Sequence, residues 1–175
     1  MLQELSVDRL LRKILSQASV LVDCDRSSIF LVDEERSEIY ARIFDHHTQE
    51  NQVFKEVRIP KDTGIAGHVL ATGMPVIVYD AYQDPRFNPT VDQKTGYRTK
   101  NVLAMPLFSN NKKVLGVVQF INKISFSSFT RQDLKSAEIF SHFAGLALTN
   151  AQLYDNSVKS EQRNKVALSV IGSSL

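Results

Sequence analysis

The sequence has few of the residues from which disulfide scaffolds and metal-bound thiolate sites are built. Its 175 residues include one cysteine, no tryptophan, five prolines and seven glycines. The lone Cys24 cannot form an internal disulfide or supply a thiolate zinc site by itself, which indicates a reducing compartment. No apolar run approaches the roughly 18 residues that span a bilayer, and the first residues show no secretory signal pattern. We therefore expect a cytoplasmic protein without a membrane span.

Neither sign of charge dominates the chain. Lys and Arg number 21 against 19 Asp and Glu, for a formal net charge of +2, and no basic block stands out. Nucleic acid is therefore not favoured as a partner. Hydrophobic residues at 43% and charged residues at 23% are typical of a globular chain. The length suits one domain with a spare helix.

Hydrophobic periodicity predicts an α+β domain. Ser6 is expected to cap the first helix, and Thr130 with Asp133 forms a predicted capping box for the last one. The predicted elements are a helix over 7–22, strands over 27–32, 38–44 and 53–59, a short helix over 65–72, strands over 76–79, 101–108 and 114–124, and a long final helix.

Short turns between neighbouring strands imply an antiparallel sheet. The first and last helices can cover one face together, which leaves the short helix and residues 80–100 for the other. That long polar stretch contains three aromatic residues, so we expect an ordered lid over a small-ligand cavity.

No motif of a known catalytic site occurs in the chain. Cys24 stands between Asp23 and Asp25, whose carboxylates raise a thiol pKa and so disfavour a nucleophile. His46 and His47 are adjacent, and adjacent residues rarely face one metal. We expect no catalytic residue and no metal site in this chain.

A binding pocket is the chemistry that remains. The amides of Ile65 and Ala66 follow Gly64 at a predicted helix start, where an anion can bind, although an ordinary capped helix has the same pattern. Phe44 could stack on a base. Gln119 interrupts an apolar strand, where a ligand edge, the backbone or water could satisfy its amide. The lid adds further polar groups: Asp92, Thr95, Tyr97 and Thr99.

Four segments resemble the GAF domain. Residues 25–33 resemble its opening strand, and residues 59–69 its short-helix segment. Residues 80–99 resemble the lid of the cyclic-nucleotide-binding subgroup. Asn122, Lys123, Phe129 and Asp133 resemble the Asn-Lys…Phe-x-x-x-Asp-Glu signature of cyclic-nucleotide phosphodiesterases, in which Leu134 replaces the final Glu.

The resemblance implies a six-stranded antiparallel sheet of the GAF/PAS-like kind that encloses a cyclic nucleotide. Phe44, next to Asp45, would stack on the purine, with Ser28 and Gln119 on the floor beneath it. Lys123 and Asp133 would form an internal ion pair away from the ligand. The other implied ligand contacts are the amides of Ile65, Ala66 and Asn88 at the cyclic phosphate, Asp92 and Thr95 at the base, Tyr97 closing over the ligand, and Thr99 on the ribose–phosphate side.

The favoured function is a regulatory cyclic-nucleotide-binding module over residues 5–155, with residues 156–175 as a linker helix. The resemblance implies a phosphodiesterase catalytic domain elsewhere in a longer protein, a homodimer through the terminal helices, and no cofactor in this chain. Cyclic GMP is slightly favoured over cyclic AMP from the lid sequence. The alternatives are a non-binding dimerisation module and the sensor domain of a nucleotide cyclase; an enzyme or photosensor on the same fold is disfavoured because it would need other cysteines.

Overall fold

The computed structural model describes residues 2–45 and 57–172, and it is an α+β domain around one sheet. The elements are α1 (Leu2–Val22), β1 (Cys24–Asp33), β2 (Glu38–Asp45), β3 (Val57–Pro60), α2 (Gly64–Thr72), β4 (Val76–Val78), a 3₁₀ turn (Ala81–Gln83), α3 (Thr90–Thr95), β5 (Val102–Phe108), β6 (Val114–Lys123) and α4 (Arg131–Gly172). Six strands pair antiparallel in the order β3-β2-β1-β6-β5-β4. The predicted fold class is confirmed.

Alternation along the strands gives the sheet two apolar faces with different partners. On one face, α1 and α4 pack together over side chains such as Ile29, Leu103 and Phe120. On the other face, α2 and the lid cover side chains such as Phe30, Val102 and Val117. The helices that begin and end the described chain therefore share one layer, and the opposite layer is left for a ligand.

Three local predictions differ from the structure. Helix α1 begins at Leu2, so Ser6 lies inside the helix and its predicted capping role is wrong. The reason is that Leu, Gln and Glu before Ser6 are all good helix formers. The lid contains a 3₁₀ turn and the short helix α3, which its polar sequence did not predict. The predicted third strand is described only from Val57, because residues 46–56, including His46 and His47, lie outside the described residues.

The last helix starts as predicted. Thr130 N donates to Asp133 Oδ2 at 2.8 Å, and Asp133 N donates to Thr130 Oγ1 at 3.2 Å. This reciprocal pair satisfies amides that the helix itself leaves without acceptors. Helix α4 then runs continuously to Gly172. Of the helices within 2–45 and 57–172, none is both long and apolar enough to cross a membrane.

A candidate ligand-binding cavity under the lid

A narrow cavity lies between the sheet, α2 and the lid. Its volume is about 50 Å³, room for a few water molecules, whereas ligand pockets are commonly about 300 Å³ or larger. A nucleotide therefore requires the lid to move outward. The lining residues are Arg26, Ser28, Phe30, Ile59, Thr63, Gly64, Ile65, Ala66, Phe87, Asn88, Val91, Asp92, Thr95, Tyr97, Thr99, Val102, Gln119 and Ile121.

The floor of the cavity is polar at its centre. Ser28 on β1 pairs with Gln119 on β6, which pairs in turn with Ala104 on β5. Ser28 and Gln119 are 3% and 8% exposed. Within the described part of the chain, the Gln119 amide has no hydrogen-bond partner. Since a buried amide needs partners, a ligand edge fits this position.

One wall is the start of α2. Gly64 has a φ of +76°, a conformation that a residue with a side chain rarely adopts. This turn brings the buried residues Ile65 and Ala66 to the cavity. The first amides of a helix have no intrahelical acceptor and carry partial positive charge, so this wall can hold an anion. Asn88 also lines the cavity, and its Oδ1 accepts from Thr90 N at 3.0 Å.

The opposite wall depends on Asp92, which is 7% exposed on α3. Its Oδ2 accepts from Thr99 N at 2.8 Å, and its Oδ1 accepts from Thr99 Oγ1 at 2.7 Å. The Tyr82 hydroxyl also donates to Oδ2, at 2.9 Å. These bonds connect α3 to both ends of the lid. The sequence placed Tyr82 in the lid, but no spacing rule predicts its bond to Asp92.

Two further lid residues line the cavity. Thr95 Oγ1 donates to Val91 O at 2.8 Å within α3. The Tyr97 hydroxyl donates to Asp25 Oδ2, and the Arg26 guanidinium lies 3.8 Å from the centre of the Tyr97 ring. Burial, followed by the hydrogen bond to Asp25, raises the pKa of Tyr97. This hydroxyl is therefore a proton donor at neutral pH.

The predicted base-stacking residue is described only in its backbone. Phe44 and Asp45 lie in β2, where Phe44 pairs with Ser27 and Asp45 with Arg26. Their side chains lie outside what the structure describes. Stacking by Phe44 stays a prediction.

The signature residues lie beside the lid and the helices. Asn122 has a φ of +59°, and its side chain holds the end of the lid. Its Oδ1 accepts from Lys100 N at 2.6 Å, and its Nδ2 donates to Arg98 O and to the Tyr97 hydroxyl, both at 2.9 Å. Phe129 is 3% exposed in the core under α1 and α4.

Lys123 and Asp133 are paired in the structure. Lys123 Nζ donates to Asp133 Oδ1 at 3.0 Å and to Val22 O at 2.7 Å, and the Lys123 side chain is 5% exposed. The pair joins the end of α1, the end of β6 and the start of α4. Neither residue lines the cavity.

The one cysteine is not an activated nucleophile. Burial is the main cause that raises the pKa of the Cys24 thiol, to about 11. Across residues 2–45 and 57–172, no group of His, Cys, Asp and Glu side chains could hold a metal ion.

Relatives of the chain are cyclic-nucleotide phosphodiesterases. It is 46% identical to the probable 3',5'-cyclic phosphodiesterase pde-5 of Caenorhabditis elegans over 95% of its length. It is 42% identical to the dual 3',5'-cyclic-AMP and -GMP phosphodiesterase 11 of Drosophila melanogaster over 94% of its length. The chain spans 24% and 12% of these two relatives.

Solved structures of lower identity share the fold. A methyl-accepting chemotaxis protein fragment matches with a TM-score of 0.67 at 18% identity, covering 85% of this chain and 92% of that one. The GAF domain of an Acinetobacter phosphoenolpyruvate-protein phosphotransferase matches with a TM-score of 0.64 at 18% identity, covering 89% and 98%. The GAF domain family model matches residues 6–148. With that match over most of its length, this sheet and these helices, the chain belongs to the GAF domain family.

Proposed function

We propose that this chain is the regulatory cyclic-nucleotide-binding GAF domain of a cytoplasmic, multidomain cyclic-nucleotide phosphodiesterase. The observation that carries the proposal is the pair of facing cavity surfaces. The Gln119 amide on the floor lacks a protein partner among the described residues, and the α2 wall offers helix-start amides. A purine edge suits the first surface and a cyclic phosphate suits the second. The names of the two phosphodiesterase relatives support this ligand class.

The predicted contacts can then be assigned to the ligand's parts. Ser28 and Gln119 lie under the base, and Phe44 stacks on it. The amides of Ile65 and Ala66 hold the cyclic phosphate. The remaining assignments are Asn88 at the phosphate, Asp92 and Thr95 at the base, Tyr97 over the ligand, Thr99 on the ribose–phosphate side and Asp45 beside Phe44.

The volume of the cavity gives the proposal its regulatory part. A cavity of about 50 Å³ does not hold a nucleotide, so binding selects a state with the lid displaced. Regulation of a catalytic domain then requires that the ligand prefer one arrangement of lid and helices over another. We propose that α4 transmits this difference to a phosphodiesterase domain elsewhere in the full-length protein.

Isothermal titration calorimetry with cyclic GMP and cyclic AMP tests the proposal. The protein is first checked by mass spectrometry for ligand retained from expression. We expect sub-micromolar binding of at least one nucleotide, with cyclic GMP favoured on the resemblance of the lid. A Ser28→Ala, Gln119→Leu double variant is expected to weaken binding, while Met74→Ala, at an exposed position outside the cavity, leaves it unchanged. No heat from ligand-free protein with either nucleotide contradicts the proposal.

A second candidate is a dimerisation module whose cavity binds nothing. The observation that favours it is a row of exposed apolar side chains on α4. Ile139, Phe143 and Leu146 are 59%, 54% and 37% exposed, although α4 lies in the helical layer of the domain. Oligomeric state and nucleotide binding, measured on the same preparation, distinguish the two candidates.

A further inference from the structure

Tyr82 is held at the edge of the cavity by contacts on both its ring and its hydroxyl. The centroid of its ring lies 4.9 Å from that of Phe87, and the Arg98 guanidinium lies 4.1 Å from the Tyr82 centroid. The hydroxyl donates to Asp92 Oδ2 at 2.9 Å. This hydrogen bond is the main cause that raises the pKa of Tyr82, so the hydroxyl stays a donor at neutral pH.

The bond from Tyr82 limits what Asp92 can offer to a ligand. A carboxylate has about four acceptor positions, two on each oxygen. Thr99 N and the Tyr82 hydroxyl fill the two positions on Oδ2, and Thr99 Oγ1 fills one on Oδ1. One acceptor position on Oδ1 remains. Removal of the Tyr82 hydroxyl would leave one on each oxygen.

The two purines differ in what they present to a carboxylate. Guanine offers two parallel donors, N1–H and an amino N–H, which match a carboxylate with one open position on each oxygen. The adenine amino group offers a single N–H along its Watson–Crick edge, which one open position satisfies. Cyclic GMP can thus use both oxygens of Asp92 only if the Tyr82 hydroxyl leaves, whereas cyclic AMP has no such requirement.

We propose that Tyr82 is a positioning residue that sets the purine preference of the cavity, because its hydroxyl occupies one acceptor position of Asp92. The inference rests on the proposed function and names the residue that tunes it. Tyr82 acts through Asp92 and has no assigned contact with the ligand.

The test measures both dissociation constants in the unmodified protein and in Tyr82→Phe. The substitution keeps the ring against Phe87 and Arg98 and removes only the hydroxyl. We expect the ratio of the cyclic GMP constant to the cyclic AMP constant to fall about tenfold, the effect of one hydrogen bond to a charged group. Tyr79→Phe is the matched control, because Tyr79 is 71% exposed and does not line the cavity. Its ratio should not change.

Three outcomes would overturn the inference. An unchanged ratio in Tyr82→Phe means that the hydroxyl does not influence purine choice. An equal gain for both nucleotides means that Tyr82 only holds the lid closed. Absence of binding in the unmodified protein removes the proposed function along with the inference, which distinguishes the two failures. Tyr82→Leu, which also lacks the hydroxyl, should shift the ratio in the same direction if Tyr82→Phe folds poorly.

Discussion

At the scale of single residues, buried polar groups hold the layers of the domain together. Lys123 places its ammonium between Val22 O and Asp133 Oδ1, where one side chain joins a strand to two helices. Burial of such a pair brings little net stability relative to apolar residues, but removal of one partner leaves an uncompensated group. The pair therefore matters most when it is broken.

Substitution of Lys123 by Met should destabilise the domain by about 3 kcal/mol, since Asp133 and Val22 O both lose their donor in a buried setting. Urea unfolding monitored by circular dichroism measures the change. Lys113→Met is the control, because Lys113 is 65% exposed and lies 3.6 Å from Glu34. Its effect should stay within about 0.5 kcal/mol. Equal losses in both variants would contradict the assigned role of the buried pair.

A second residue-scale prediction concerns acid. Arg86 donates to Asp84 through Nε at 2.9 Å and through Nη2 at 2.7 Å, and this pairing is the main cause that lowers the pKa of Asp84. Because the folded pKa lies below the unfolded one, the unfolded chain binds more protons in acid. The stabilisation is complete above the ordinary aspartate pKa and is lost as the pH falls through the folded value.

Asp84→Asn should therefore destabilise the protein at pH 6, by an amount that shrinks as the pH approaches about 3. The measurement is a series of urea unfolding curves across that range. Asp62→Asn, at an exposed position, should differ from the unmodified protein by a constant amount. If the Asp84→Asn difference were also constant with pH, the ion pair would not be a source of the acid dependence.

At the scale of elements, α2 is fixed by a close approach to the turn before it. A Cβ built on Gly67 would lie 2.6 Å from the backbone carbon of Asp62 and 3.0 Å from Lys61 O. This contact keeps the start of α2, and hence the amides of Ile65 and Ala66, beside the cavity. Glycine is required here by packing, since alanine is the better residue in a helix interior by about 1 kcal/mol.

Gly67→Ala should consequently destabilise the protein, by about 1–3 kcal/mol, because the added methyl group overpacks rigid backbone. Thermal unfolding gives the sign directly. Ala71→Gly at an exposed position of the same helix should cost about 1 kcal/mol, the ordinary propensity effect. A gain in stability for Gly67→Ala would show that the turn yields to the methyl group.

Elements with strong periodicity were predictable and those fixed by tertiary contacts were not. The apolar alternation of β5 and β6 and the capping box of α4 predict elements that the structure contains. Helix α3 has six residues, too few for periodicity, and Asn88 Oδ1 beside its start accepts from Thr90 N. Likewise, the bond between Tyr82 and Asp92 follows from how the lid folds back and from no spacing in the sequence.

At the scale of the whole molecule, one sheet separates two layers with different tasks. The lid layer contains the cavity, and the α1–α4 layer contains no cavity-lining residue. Adjacent residues of β6 connect the layers. Asn122 holds the lid at Arg98 and Lys100, and Lys123 holds both helices. A displaced lid thus pulls on backbone that is one residue from the helical layer.

The helical layer also carries the last prediction. Ile139, Phe143 and Leu146 lie four and three residues apart, which places them on one side of α4, and all three are exposed. Single exposed apolar residues are ordinary, but a row of them marks an interaction surface. Helix α4 is long and continuous, so a second copy of the chain fits this surface better than a small ligand does.

Sedimentation velocity over a concentration series should show a reversible dimer, and Phe143→Glu should weaken it at least about tenfold by placing a charge in an apolar interface. Met74→Glu, at an exposed apolar position between α2 and β4, is the control and should leave the dimer intact. A monomer at the highest concentration would remove this surface from the proposal. A dimer that binds neither nucleotide favours the dimerisation module, whereas a dimer that binds one supports a regulatory domain in which the two layers act together.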